Sequence, residues 1–456
     1  MPNSVNSTTC LVGRFNAQEG FSYQELEKIE QEKNWERHFL KNAETNQLKK
    51  KYYPAHIKAM IDTGEDYTLV RRYRLAWREK KSLKLNRVFR KEGRVVKIGQ
   101  YPCWLEDVSL WFFPNGIVLF SIKFEDSGVD LNDLTWMHSQ WKEWGATFDS
   151  SNSGSFATPE LDELLKPLAQ YTQRKTAKDL TQANTKVRQY QVVQIEGNEI
   201  EDELLYEIGT FSRVGVIKDP ELSQGFKPSN EYFKKTVAEN GVSVYSDWKA
   251  LALNDSFTVL AIDDKYADSE LDKEGDGYRY FELLYMRSLF EEYYCFDRNN
   301  LFREQKYIDV DKQLEEIKGM ERDYFYDDLS YDFLPPLLLR AMEKGLGLQD
   351  DRKELTEHIK QAYKEDQDKK KQEMLAQQNE KEKEQQRRNE EIERRNGMIV
   401  SAVQILAVFS TLGTLYQLII AITGCDRSPW LAGGLLVVGI VLLCVLLPEI
   451  IRNQKR

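Results

Sequence analysis

Motifs for common enzyme chemistries are missing from this 456-residue chain. It has no G-x-x-x-x-G-K-[ST], no G-x-G-x-x-G, no H-E-x-x-H and no G-x-S-x-G. Nucleotide hydrolysis, dinucleotide redox chemistry, zinc proteolysis and serine hydrolysis therefore have nothing to rest on, and no enzymatic activity is expected. Histidine is scarce: His38, His56, His138 and His358 are scattered without metal-ligand spacing. The five cysteines (Cys10, Cys103, Cys295, Cys425, Cys444) form neither a ligand pattern nor a paired framework, which fits a reducing cytosol better than secretion. An excess of basic residues is also missing. With 64 Lys and Arg against 74 Asp and Glu, the net charge of −10 excludes a chain that coats nucleic acid along its length. The first thirty residues hold no apolar run, so no cleaved signal peptide is expected.

The C-terminal part is apolar. Residues 398–423 carry no charge over 26 positions, more than the ~20 needed to cross a ~30 Å hydrocarbon core. Residues 430–447 form a second run of about 18, opened by Trp430 and closed by Pro448. Two transmembrane helices joined by a tight external turn at 424–429 are expected. Arg387, Arg388, Arg394 and Arg395 precede the first span, and Arg452, Lys455 and Arg456 follow the second, while Asp426 and Arg427 cancel in the turn. That asymmetry places the large domain and the basic tail in the cytoplasm, with the bilayer itself as a partner.

The first span is too polar for a simple anchor. Ser401, Gln404, Ser410, Thr411, Thr414 and Gln417 would lie at membrane depth, where each needs a partner. Ser410, Thr414 and Gln417 share one face by their spacing, and Ser401, Gln404 and Thr411 a neighbouring one. Gln404, Ser410, Thr411, Thr414 and Gln417, with Asn396 at the inner end, are candidate pore-lining residues, and Asp426 is a candidate carboxylate at the pore mouth. The other reading is glue between packed membrane helices.

From about residue 350 to 395 there is neither Gly nor Pro, and Ala, Glu, Lys, Gln and Arg predominate. A stalk helix over 346–397 is expected, with Leu355, Ile359, Ala362 and Tyr363 packed at its start. A flexible charged linker is the alternative. Upstream, residues 1–60 read as a helical, charged segment, and 61–345 as an α/β body. Within it, strands are expected at 67–77, 187–195, 210–217, 242–245 and 257–262, and a hairpin at 108–124 around Pro114-Asn115-Gly116. Helices are expected at 131–144, behind the cap Asp130, and at 278–320. Arg71, Arg72 and Arg74, with Trp77, are candidates for holding an anionic ligand such as a nucleotide; a salt-bridged strand edge is the alternative. The acidic stretch 263–276 lacks the Gly and Glu of a calcium loop, because Lys273 and Arg279 stand there.

A cytosolic α/β domain, a very long helix running into the first of two C-terminal spans, a short outer turn and a basic inner tail resemble the CorA family of magnesium transport proteins. The segment Ser246-Asp247-Trp248-Lys249-Ala250-Leu251-Ala252-Leu253 and the segment Leu329-Ser330-Tyr331-Asp332-Phe333-Leu334-Pro335-Pro336 look like stretches of CorA-like proteins. The resemblance implies a pentamer around the first span, residence in a bacterial inner membrane, and magnesium or another divalent cation as cargo. Family transporters carry Gly-Met-Asn at the outer end of the first span, whereas this chain has Ile422-Thr423-Gly424-Cys425-Asp426. CorA-like proteins without a clear transport motif resemble membrane effectors beside type III CRISPR systems, opened by a nucleotide second messenger. Three functions follow as expectations: a ligand-gated channel, a divalent-cation transporter with an altered filter, and a membrane-tethered scaffold.

Overall fold

The computed structural model describes residues 5–14, 31, 35–39, 52–64, 70–75, 81–91, 94–142, 187–222, 228–262, 280–304, 309–325, 329–423, 430, 433–434, 436–441, 444–445 and 448. Trp77, the acidic stretch 263–276, the turn 424–429 with Asp426, and the tail 451–456 lie outside them. The chain forms two compact units, Met1–Ala362 and Tyr363–Arg456.

The first unit is built on a sheet whose central strand is the N-terminal one. Strand β1 (Val5–Arg14) sends Cys10 and Val12 to one face and Leu11 to the other, and both faces are buried. Within the expected helical segment 1–60, Val5–Arg14 and Trp35–Arg37 are strands, while Pro54–Met60 is helical. Ser7 and Thr9 lower the apolar contrast, but each is hydrogen-bonded in the core, to Asp126 at 2.8 Å and to His138 at 2.9 Å. The other strands are β2 (Trp35–Arg37), β3 (Arg71–Leu75), β4 (Lys81–Lys91), β5 (Arg94–Phe112), β6 (Val118–Val129), β7 (Arg188–Gln194), β8 (Gly241–Val242), β9 (Trp248–Ala252) and β10 (Ser256–Ala261). Their order is β2-β3-β5-β6-β1-β7-β10-β9-β8, with β4 paired to β5. All these pairings are antiparallel except that between β10 and β7.

The expected hairpin is present: β5 and β6 meet across Pro114–Gly116, where Asn115 (φ 60) and Gly116 (φ 72) take the left-handed conformation the turn needs. Two expected strands differ. Residues 210–217 form a turn after helix α3 (Asp202–Gly209), because the buried Glu207 carboxylate accepts the backbone N–H of Gly215 and of Ile217, each at 2.8 Å. Residues 242–245 contribute only the short β8.

Helices cover both faces. On one lie α1 (Pro54–Met60), α5 (Tyr280–Glu304), α6 (Val310–Asp323) and α7 (Leu334–Leu346); on the other lie α2 (Leu131–Lys142), α3 and α4 (Asn230–Asn240). Asp130 caps α2 through the Asn132 N–H at 2.8 Å, as expected. The last helix, α8, is a single element from Leu348 to Thr423.

The arginine-rich strand is the clearest electrostatic feature of the sheet. Arg72 is fully buried; it donates to Asp107 at 2.8 Å and to Ser109 at 3.1 Å and lies 4.4 Å from the Trp111 ring centre. Arg74 reaches the second Asp107 oxygen at 2.6 Å. Burial opposes ionisation of Asp107, but Arg72, Arg74, Lys123 and the Ser109 hydroxyl outweigh it and hold the carboxyl well below the usual range. Asp107→Asn is expected to destabilise the first unit by about 3 kcal/mol, because it leaves a buried guanidinium without its counter-charge. Since the native carboxyl titrates below its unfolded value, its contribution is present at neutral pH and lost progressively as pH falls from the ordinary carboxylate range down through the depressed native value. Denaturant unfolding at neutral and acidic pH checks this: an unchanged midpoint at neutral pH would refute it.

Candidate functional site

Three places hold the residues with functional potential: the apolar part of α8, the start of the same helix, and a cavity beside α3.

Among the described residues, α8 is the one helix long and apolar enough to cross a membrane, by length and composition. Its stretch 398–423 is about 39 Å long at ~1.5 Å per residue. Described parts of residues 430–448 are helical, and Gly439 is buried against this stretch; a Cβ on Gly439 would lie 3.0 Å from Leu412 Cδ1. The half-buried positions of the stretch are Ser401, Ile405, Val408, Leu412, Ile419 and Ile420, of which the first five make one stripe. Asn396, Gln404, Ser410, Thr411, Thr414 and Gln417 are all exposed. The structure therefore gathers the six candidate residues on surface that the rest of the second unit leaves uncovered.

Their chemistry is not equivalent. Thr411 Oγ1 donates to the Ala407 carbonyl at 3.0 Å, Thr414 Oγ1 to that of Ser410 at 3.0 Å, and Ser401 Oγ to that of Gly397 at 2.9 Å. These hydroxyl protons are satisfied within the helix. The primary amides of Gln404 and Gln417 are exposed and make no hydrogen bond to another of the described residues. Each keeps two donors and an acceptor for something else.

The start of α8 is fixed by charge in the first unit. Gly347, at φ 79, closes α7 in the left-handed conformation, and Leu348 and Leu355 enter the core. Arg352 donates Nε to Glu291 on α5 and, at 2.7 Å, to Glu343 on α7. Both carboxylates are buried. Burial pushes the Glu291 carboxyl up, against the pull of the Arg352 hydrogen bond and charge. Asn299 donates to the Asp351 carbonyl at 3.2 Å and lies 3.1 Å from His358 Nδ1. The composition did not reveal this cluster; its signal is a carboxylate, Glu291, in the midst of the apolar positions of α5.

The third place is a cavity of about 340 Å³ whose lining includes the apolar Leu131, Ile195, Leu204 and Val214. Glu196, Glu199, Glu201, Glu203 and the buried Glu207 also line it, with Lys218 hydrogen-bonded to Glu201. A wider groove of about 820 Å³ shares Glu199, Glu201, Glu203 and Lys218 with it and adds Phe233, Lys234 and Lys249. Burial pushes the Glu207 carboxyl up in spite of its two backbone donors. Five glutamates within residues 196–207 were the available signal. No group of three or more His, Cys, Asp or Glu among the described residues is arranged to hold a metal ion.

The candidate anion site is not assembled as expected. Arg72 and Arg74 are committed to Asp107, Arg71 is half-buried at the head of β3, and Trp77 lies outside the described residues. The solvent-facing edge is not what forms either: β3 lies between β2 and β5, and Arg72 is fully buried against Asp107. No family model, no curated protein and no solved structure matches the chain.

Arg352→Ala is expected to cost about 2–4 kcal/mol by leaving Glu291 buried without its partner, and the loss should shrink as pH falls and Glu291 takes up a proton. A double-mutant cycle with Glu291→Gln, read by denaturant unfolding, measures it; additive losses would show that the two side chains do not depend on each other.

Proposed function

We propose that the protein is a homo-oligomeric membrane channel of CorA-like form, in which several copies of α8 surround an ion path and the α/β body controls its opening. The observation that carries this reading is the pair of exposed amides at Gln404 and Gln417. In hydrocarbon an amide without partners costs several kcal/mol, and only water in a pore or another copy's polar face can supply them. The uncovered position of Thr411, Thr414 and Ser410 on the same side supports it. A second span at residues 430–447, the cytoplasmic placement of the body and a bacterial inner membrane belong to the same proposal, supported by the helical pieces after Trp430 and by the arginines ahead of Met398. Five copies is the number the resemblance implies.

The nucleotide second messenger of a type III CRISPR effector is one proposed ligand. The commitment of Arg72 and Arg74 to Asp107 takes two of its four candidate residues, and Arg71 and Trp77 remain. A second reading is favoured by the glutamate-rimmed cavity, whose field attracts cations. In it the body senses a cation, and the channel is a divalent-cation transporter with an altered filter. The tethered scaffold fits least well, since a tether has no use for Gln404 and Gln417.

Ion flux through purified protein in liposomes tests the readings together, with magnesium varied on each side and with a panel of cyclic and linear oligonucleotides. Flux opened by one nucleotide supports the effector; magnesium flux that cytosolic magnesium shuts off supports the transporter; absence of flux in every condition sinks both. Gln404→Leu and Gln417→Leu should each change conduction roughly tenfold, while Ser410→Ala and Thr414→Val stay within about threefold, because the Thr414 hydroxyl is already bonded in the helix and Ser410 offers no amide. Equal effects at all four positions would remove the distinction between amides and hydroxyls.

A further inference from the structure

The charges just ahead of residue 398 are ordered around the axis of α8. Counting about 100° per residue, Asn389 and Asn396 continue the line of Thr411 and Thr414. Relative to the middle of that polar face, Glu393 and Glu390 lie about 50° and 110° to one side, and Arg388 and Arg395 about 90° and 110° to the other. Arg387 and Arg394 point away from it. All of these side chains are exposed, and the ion pair given for this stretch, Arg395 with Glu391 at 3.8 Å, joins two largely exposed groups. One flank is thus acidic, the other basic, and the face between them is polar without charge.

We propose that residues 388–395 form a seam between neighbouring copies of this chain, in which Glu390 and Glu393 of one copy meet Arg388 and Arg395 of the next. The inference rests on the oligomeric reading above and names the contact that would close the ring. Opposite charge on opposite flanks is the pattern a head-to-tail cyclic contact requires, since every copy must offer both halves. The heights agree: Arg388 and Glu390, like Glu393 and Arg395, are two residues or about 3 Å apart along the axis, so parallel copies at one level bring them together. Self-pairing of equivalent faces would oppose like charges. Anionic lipid headgroups could neutralise the arginines but would repel the glutamates on the other flank.

The test is charge exchange in the full-length protein, with subunit number and dissociation followed by mass measurement in detergent and in lipid nanodiscs. Glu390→Arg with Glu393→Arg, and separately Arg388→Glu with Arg395→Glu, should each weaken assembly at least about tenfold through like-charge contacts. The fourfold exchange should return to within about threefold of the parent. Within one helix that exchange leaves Glu384, Glu391 and Arg394 four residues from like charges, so recovery has to come from between copies. As a second readout, the two double variants, each impaired alone, should co-assemble when mixed, in full in a ring of even number and with one like-charge contact left in a ring of five. Assembly unaffected by either double change, or no recovery in both the exchange and the mixture, overturns the seam. Weakening by the arginine changes alone, with the glutamate changes neutral or favourable, overturns it in favour of lipid headgroups. Conduction does not enter these readouts, so a seam that holds in a protein without flux would sink the channel and keep the inference, and a conducting protein indifferent to the exchange would do the reverse.

Discussion

Glu291 is a carboxylate buried among the apolar side chains of α5, and the seating of the first turns of α8 in the body depends on how its charge is met. A lone buried carboxylate is costly, and the cheapest compensation is a guanidinium with a second acceptor nearby. Arg352 supplies it, one turn into α8, and shares itself with Glu343 on α7. Three helices are thereby tied at one point, with Leu348 and Leu355 packed beside it. These few contacts hold the start of α8 within the first unit. Any change in the body that moves α5 against α7 must strain or release this ion cluster first.

The two faces of the sheet treat buried polarity differently. On the face covered by α5 and α7, charge answers charge: Arg72 and Arg74 with Asp107, and Lys123 with Glu282 at 3.0 Å. On the face covered by α2 and α3, apart from Asp126 with Ser7 and Glu207 with its two backbone donors, neutral groups answer one another: Thr9 with His138, Gln191 with Thr258 at 2.6 Å, and Ser256 with the Gly209 carbonyl at 2.6 Å. Burial there drives the His138 pKa down to about 3, so the ring stays neutral across the physiological range. Directional pairs of this kind contribute less to stability than to selecting one register, because a slip of one residue would put each of them on the wrong face.

Elements whose signal is local were readable in the sequence. The hairpin around Pro114–Gly116, the cap at Asp130 and the uninterrupted helix after residue 348 each follow from neighbours in the chain. Elements decided at long range were not. The centrality of β1 depends on partners more than a hundred residues away, and its threonines and serine look like surface until Asp126 and His138 are placed against them. The segment 210–217 has the β-branched residues of a strand, yet one carboxylate, Glu207, holds it as a turn. The same division applies to the sites. Polar residues in an apolar run announce themselves, whereas the partner that takes Arg72 out of ligand binding is 35 residues away, and nothing in the neighbourhood of Arg72 predicts it.

Assembly of such a chain needs two contributions of different kind. Apolar helix surface gains little from leaving lipid for another helix, so contacts in the membrane must come from packing and from polar groups such as the amides of Gln404 and Gln417. Charged flanks outside the membrane are individually weak, about 0–1 kcal/mol for an exposed pair, and are screened by salt. In the proposed ring the amides of Gln404 and Gln417, about 70° to either side of the middle of the polar face, favour association but carry no charge to tell one side from the other. The flanks of 388–395 distinguish left from right but bind little by themselves. Residues 388–417 form one unbroken helix, so in the proposed ring a rotation that seats the acidic flank against the basic one also turns Asn396, Thr411 and Thr414 toward the centre and sets Gln404 and Gln417 to either side of it.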